Sequence, residues 1–188
     1  IYSKIYKWLP VNDYYAMKLT GNISTDYSQA MRTLLFNPEK LQWSKEMINF
    51  FKIKKNILPK IINAGDKKGK FANEIKKKLK LKYDCIIAAG GHDHFVGIYA
   101  LGGFQKNTAV NSMGSAEAIS INTNKYFRNN DLKKGKFISG VFKTKNNTSY
   151  YVVGSILTSG IIIEWFINTF NIKGYNELRK LFKIKENE

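Results

Sequence analysis

An α/β fold is predicted from three features of the sequence. Two short apolar runs are closed by glycine: Cys85-Ile86-Ile87-Ala88-Ala89 before Gly90-Gly91, and Ala109-Val110-Asn111-Ser112-Met113 before Gly114. Their length and their endings suit strands better than helices. Runs with helical spacing lie before, between and after them. Apolar content of 44% over 188 residues gives enough side chain for one sizeable core, or for one domain plus part of another.

Residues 2–9 have helical spacing, with Ile5, Trp8 and Leu9 on one side, and Pro10 ends the run. Asn12-Asp13 caps a second helix over 14–19, which Thr20-Gly21 closes. Ser24-Thr25-Asp26 caps a third that carries Ala30, Leu34, Leu35 and Phe36; Pro38-Glu39 turns the chain, and Ser44 starts a fourth over 45–51. Residues 57–62 are extended, because Pro59 restricts its predecessor. A turn follows at 65–70 and a lysine-faced helix at 71–79. The strand at 85–89, a helix over 95–102 and the strand at 109–113 come next. Residues 121–135 read as a polar connection, and 137–142 with 149–153 as a hairpin around Lys145-Asn146-Asn147. Gly154-Ser155 is a second glycine-serine turn. Residues 156–170 form an apolar helix with Trp165 in the core, and a last helix begins at Leu178. A domain boundary falls near 118–123.

Composition narrows the function classes. The net charge is +17, but lysine supplies nearly all of it, and Arg32 and Arg128 are the only arginines before the C-terminal tail. Nucleic-acid sites favour arginine forks and grouped aromatics, so scattered lysine reads as a solvated face. Cys85 stands alone, which excludes an internal disulfide and points to a reducing, cytoplasmic compartment. No apolar run has the length of a membrane span. The chain opens without Met and ends on Lys185-Glu186-Asn187-Glu188, so a piece of a longer protein is expected.

Chemistry concentrates between Cys85 and Ser120. Gly90-Gly91 lets the backbone turn and approach a ligand, and His92-Asp93-His94 follows at the strand end. Gly114-Ser115-Ala116-Glu117 closes the second strand with a small hydroxyl-bearing turn. An acid on one strand end and a glycine-serine turn on another suit phosphoryl transfer: a base for the nucleophile, and backbone N–H groups for phosphate. The residues alone leave a metal cluster or a structural turn open at His92-Asp93-His94. Asp26 reads as a helix cap.

Several of these segments together resemble the FGGY carbohydrate kinases. Asp13-Tyr14-Tyr15, Lys18-Leu19-Thr20-Gly21 and the run from Thr25 to Asn37 are similar to that family's helical block. Gly90-Gly91-His92-Asp93-His94 and Ser112-Met113-Gly114-Ser115-Ala116-Glu117 are similar to its two active-site signatures, and Gly154-Ser155 with Gly160 and Trp165 to its first nucleotide-side helix. The resemblance implies an actin/hexokinase/Hsp70-like (ribonuclease H-like) two-domain α/β kinase fold, present as a fragment spanning the domain junction. Residues 1–118 would be the C-terminal half of the sugar-binding domain, and 119–188 the start of the nucleotide-binding domain.

The resemblance also assigns roles. Asp93 matches the catalytic base, which takes the proton of the sugar hydroxyl as that oxygen attacks the γ-phosphoryl of ATP. His94 matches a sugar contact. Gly114 and Ser115 match the phosphate-facing turn, where the family usually has threonine in place of Ser115. Gly160 and Glu164 match positions near the nucleotide. ATP with Mg²⁺ and a small sugar or polyol are the implied ligands. No nucleic acid and no membrane is expected as a partner, and a homo-oligomer is left open. Two other classes remain: a kinase-like binding or regulatory protein without catalysis, and a basic nucleic-acid-binding module.

Overall fold

The structure, a computed structural model, describes residues 2–182. Residues 183–188 of the expected nucleotide-side part lie outside the described residues. The chain opens on a 3-10 turn, Tyr2–Lys4. Then come α1 (Val11–Thr20), β1 (Ser24–Asp26), α2 (Tyr27–Met31), β2 (Phe36–Asn37), β3 (Gln42–Trp43) and α3 (Lys45–Phe50). β4 (Lys60–Ile62), β5 (Lys67–Lys70), α4 (Asn73–Lys78), β6 (Ile86–Ala88) and α5 (Asp93–Ala100) follow. The rest is β7 (Ala109–Met113), β8 (Glu117–Thr123), α6 (Asn130–Lys134), β9 (Ile138–Lys143), β10 (Thr148–Ile156), α7 (Gly160–Thr169) and α8 (Tyr175–Leu181).

The largest sheet is antiparallel, four-stranded and ordered β7-β8-β10-β9. β1 pairs with β4 in parallel, β2 with β3 and β5 with β6 antiparallel. The small pairs join the large sheet where Ala64 N–H donates to the Lys143 carbonyl at 2.8 Å. One buried cluster, Ala64, Phe95, Ile98, Phe104, Phe142 and Tyr151, glues α5 onto that sheet. A second, around Ala30, Phe36 and Val141, fixes α2 against β9. Leu35, Ile48 and Leu58 form a third under α3.

Several expected elements are corrected. Residues 5–9 are not helical, because Trp8 N–H reaches across to the Ile57 carbonyl (2.8 Å) rather than back along a helix. α1 is entered through Pro10, not capped by Asn12-Asp13; Asp13 sits inside the helix, buried against Lys68. The third helix stops at Met31. There the Thr33 hydroxyl donates to the Ala30 carbonyl (2.7 Å) and accepts from Leu35 N–H (3.1 Å), so the chain leaves the helix and Phe36 joins a strand. Ser24-Thr25 belong to a strand, while Asp26 caps α2 as expected, accepting from Ser28 N–H (2.9 Å) and Gln29 N–H (3.2 Å). The turn expected at 65–70 is largely β5, which finds its partner in β6.

Downstream, β8 extends to Thr123 into the supposed polar connection, and the expected division at 118/119 falls inside it. Gly154-Ser155 is strand rather than turn, paired with Ile119 and Ala118. A Cβ on Gly154 would lie 2.5 Å from the Phe137 ring, so packing explains that glycine. Trp165 is 61% exposed. α7 meets the 114–115 turn at its N-terminus and Phe182 through Phe166, and Ile161, Ile162 and Ile163 on it are exposed as well. Among the described residues no helix is long and apolar enough to cross a membrane.

Candidate active site

The strand before Gly90-Gly91 delivers the chain into α5. His92 is its N-cap, and Asp93 and His94 are its first two residues rather than the end of the strand. The helix starts there because the His92 carbonyl accepts from both Phe95 N–H and Val96 N–H at 3.0 Å. The Phe95 ring stacks on Tyr151 with centroids 4.0 Å apart. Gly140 makes room for that stack, since a Cβ there would fall 2.3 Å from the Tyr151 hydroxyl.

On this rigid base the Asp93 side chain is 97% exposed. It opens into a cleft of about 440 Å³ lined also by His94, Val110, Asn111 and Ser112, so α5 and β7 form its two walls. Asp93 Oδ1 accepts from His94 N–H at 2.7 Å and lies 3.1 Å from His92 Nδ1. His94 is half-buried, edge-on to Phe95 with centroids 5.5 Å apart, and its Nε2 has no protein partner.

Burial pushes the His92 imidazole below its ordinary range, against the Asp93 carboxylate, which pulls it up. The unfolded chain therefore binds a proton at this site more readily than the folded chain. Stability through His92 is full above the ordinary value of 6.5 and is lost as pH falls below it, towards the lowered folded value. An NMR titration of the His92 ring should give an apparent pKa below that of an exposed histidine peptide; a value at or above 6.5 contradicts the burial argument.

β6 and β7 are not paired to each other. β6 belongs with β5 and β7 with β8, so the acid and the glycine-serine turn are joined through α5 and the cleft rather than as adjacent strands. Beyond the cleft β7 leads to Gly114-Ser115. There Gly160 N–H donates to the Gly114 carbonyl (3.0 Å) and Ser159 N–H to the Ser115 carbonyl (2.9 Å). The fit is tight, since a Cβ on Gly160 would lie 2.6 Å from the Gly114 oxygen. Gly114 N–H is itself spent on the Ala116 carbonyl at 2.9 Å. The Gly114 amide that a phosphate was expected to meet is thus committed internally, and Ser115 stands exposed beside it. Glu164 is exposed on α7, four residues after Gly160 and so on the same helix side.

Two residues emerge that sequence reasoning missed. Glu117 accepts from Asn111 Nδ2 (2.8 Å) and from the Ser159 hydroxyl (3.0 Å), tying β7, β8 and the entry to α7 together. Ser28, buried in α2, accepts from His92 N–H at 2.8 Å. Neither contact has a sequence signal, because Ser159 at the cap of α7 and His92 at the cap of α5 are brought to Glu117 and Ser28 by tertiary folding. Among the described residues no group of three or more His, Cys, Asp or Glu is arranged to hold a metal ion.

The profile of the FGGY family of carbohydrate kinases, N-terminal domain, matches residues 1–100. The chain belongs to the FGGY family. It is 33% identical over 180 residues to a xylulose kinase of Lactococcus lactis, covering 95% of this chain and 34% of the relative. To a glycerol kinase of Thermococcus gammatolerans it is 28% identical, covering 95% of this chain and 35% of the relative. It spans about a third of the length of these curated relatives. Among solved structures, Plasmodium falciparum glycerol kinase with ADP superposes with a TM-score of 0.81 at 23% identity, over 95% of this chain and 35% of that one. Ligand-bound xylulose kinase of Lactobacillus acidophilus gives 0.77 at 24%, over 87% and 32%. The fold is thus the actin/hexokinase-like α/β fold of the FGGY kinases, of which the chain holds a part.

Proposed function

We propose that the full-length FGGY protein transfers the γ-phosphoryl group of ATP to a hydroxyl of a sugar or polyol. The observation that carries this is Asp93, an exposed carboxylate on a rigid helix start, in a cleft walled by the strand that ends in the Gly114-Ser115 turn. Its Oδ1 is engaged by His94 N–H, which leaves Oδ2 for the substrate. Asp93 orients the hydroxyl and accepts its proton as the new O–P bond forms and the bond to the departing ADP breaks. His94, in the same cleft, supplies a ring nitrogen to a second hydroxyl. Ser115 offers its hydroxyl to the phosphates. Gly160 keeps α7 close to that turn, and Glu164 faces the nucleotide from the next turn of the helix. Residues 1–118 contribute the sugar side and 119–188 the nucleotide side. Mg²⁺ would screen phosphate charge, but the described residues do not make a divalent-ion site by themselves.

The test is an ADP-release assay of the complete protein with xylulose, glycerol and gluconate. Substrate-dependent ADP release with one of them is expected, and xylulose comes first because a xylulose kinase is among the most similar relatives. Absence of release with all three, in a protein that binds ATP, overturns the reading in favour of a non-catalytic kinase-like protein.

The turn carries its own prediction. Gly160→Ala forces a methyl against a backbone oxygen 2.6 Å away, and that oxygen cannot swing aside. We expect the KM for ATP to rise roughly tenfold, about 1.4 kcal/mol, with the sugar KM unchanged. An unchanged KM for ATP removes this turn from the nucleotide site.

A further inference from the structure

We infer that Ser28, with Asp26 behind it, is a positioning residue for Asp93. This inference rests on the proposed role of Asp93 as base. Asp26 and Ser28 are each 1% exposed, although both are polar. The Ser28 hydroxyl donates to Asp26 Oδ1 at 2.5 Å and accepts from His92 N–H at 2.8 Å. The hydroxyl proton and one lone pair are both fixed, so the group has no rotational freedom left. The donor it holds belongs to the residue immediately before Asp93, at the cap of α5. The direction in which Asp93 leaves the backbone follows from where that amide is pinned.

The far end of the relay is anchored as well. Asp26 ends β1, which pairs in register with β4, and its Oδ1 also accepts from the Ser28 and Gln29 amides. A carboxylate accepting the hydroxyl proton polarises the oxygen and makes it a better acceptor for His92 N–H. The approach of the two segments needs Gly91. Its φ is +121°, and a Cβ there would lie 3.1 Å from Ser28 Oγ and 3.1 Å from the Phe142 ring. The glycine pair before Asp93 therefore admits the hydroxyl that locates the helix start.

This relay differs from a packing contact in what it controls. α5 is already fixed to the sheet through Phe95 and Ile98. Losing the Ser28 hydroxyl leaves that packing intact but frees His92 N–H and the first turn, and with it the Asp93 side chain. A displacement of roughly 1 Å at a reacting group costs on the order of a hundredfold in rate.

The experiment compares Ser28→Ala, Ser28→Thr and Asp93→Asn in the full-length protein. It uses whichever of xylulose, glycerol or gluconate the parent phosphorylates, well below each variant's Tm. Ser28→Ala is expected to lower kcat at least tenfold per folded molecule, with the KM for ATP within twofold of the parent. Ser28→Thr, which keeps the hydroxyl, should restore kcat to within about threefold. A kcat for Ser28→Ala within twofold of the parent overturns the inference, and so does a loss that Ser28→Thr fails to restore. If Ser28→Ala does not fold, Ser28→Cys, of similar volume but a poor acceptor, is judged by the same criteria. Asp93→Asn separates the two readings. Full activity there removes the base itself, whereas an inactive Asp93→Asn beside an unimpaired Ser28→Ala removes the positioning role alone.

Discussion

Asp93→Asn in the full-length protein is expected to lower kcat by about 10²–10⁴-fold while ATP still binds. The substitution keeps the shape of the cleft and the bond from His94 N–H to the Oδ1 position. It removes the carboxylate proposed to take the hydroxyl proton. The remaining catalysis would come from holding the hydroxyl in line with the phosphoryl group, which a carboxamide can still do in part. The measurement is steady-state ADP release beside ATP affinity by calorimetry. Turnover within a few-fold of the parent would refute the assignment of Asp93 as base. Loss of ATP affinity in parallel with kcat would place the residue in binding rather than in proton transfer.

The second large effect is on stability. Lys68 and Asp13 form an ion pair with side chains only 4% and 0% exposed. Burial pushes the Asp13 carboxyl above its ordinary value, against the hydrogen bond from Lys68. The folded state then holds the proton more firmly than the unfolded state does. Through this group stability is greatest below 3.8 and declines as pH rises through the raised folded value. The pair is thus costly to bury, yet each partner depends on the other. Asp13→Ala, which strands Lys68, is expected to destabilise the protein by about 3–5 kcal/mol. Replacing both with apolar residues, Asp13→Leu with Lys68→Met, should return stability to the parent level or above it. Denaturant unfolding checks both. A cost below about 1 kcal/mol for Asp13→Ala, the scale of an exposed pair, would show that the pair is open to water.

Much of the candidate site was legible because its signals are local. Gly90-Gly91 followed by His92-Asp93-His94, and Gly114-Ser115 after an apolar strand, combine backbone freedom with reactive groups within a few residues. Asp26 was legible as a cap because its partners, the Ser28 and Gln29 amides, lie two and three residues away. The helix assigned to residues 2–9 failed for the converse reason. Its apolar spacing was helical, but Trp8 N–H found its acceptor in Ile57. Asp13 failed likewise: next to Asn12 it resembled a cap, while Lys68, 55 residues away, determines what it does.

The sequence by itself determined the α/β class, the family and the residues proposed to carry the chemistry. Hydrophobic period, glycine placement and short motifs act within a turn or a strand. Tertiary structure alone decided where those residues stand. It moved Asp93 from a strand end to the start of α5, and it separated β6 from β7. It also seated Gly160 on Gly114 and brought the Ser28 hydroxyl to the amide before Asp93. Each of these is a contact between segments distant in the chain. Its partner is chosen by packing and hydrogen-bond satisfaction across the whole fold, and no local pattern encodes that choice.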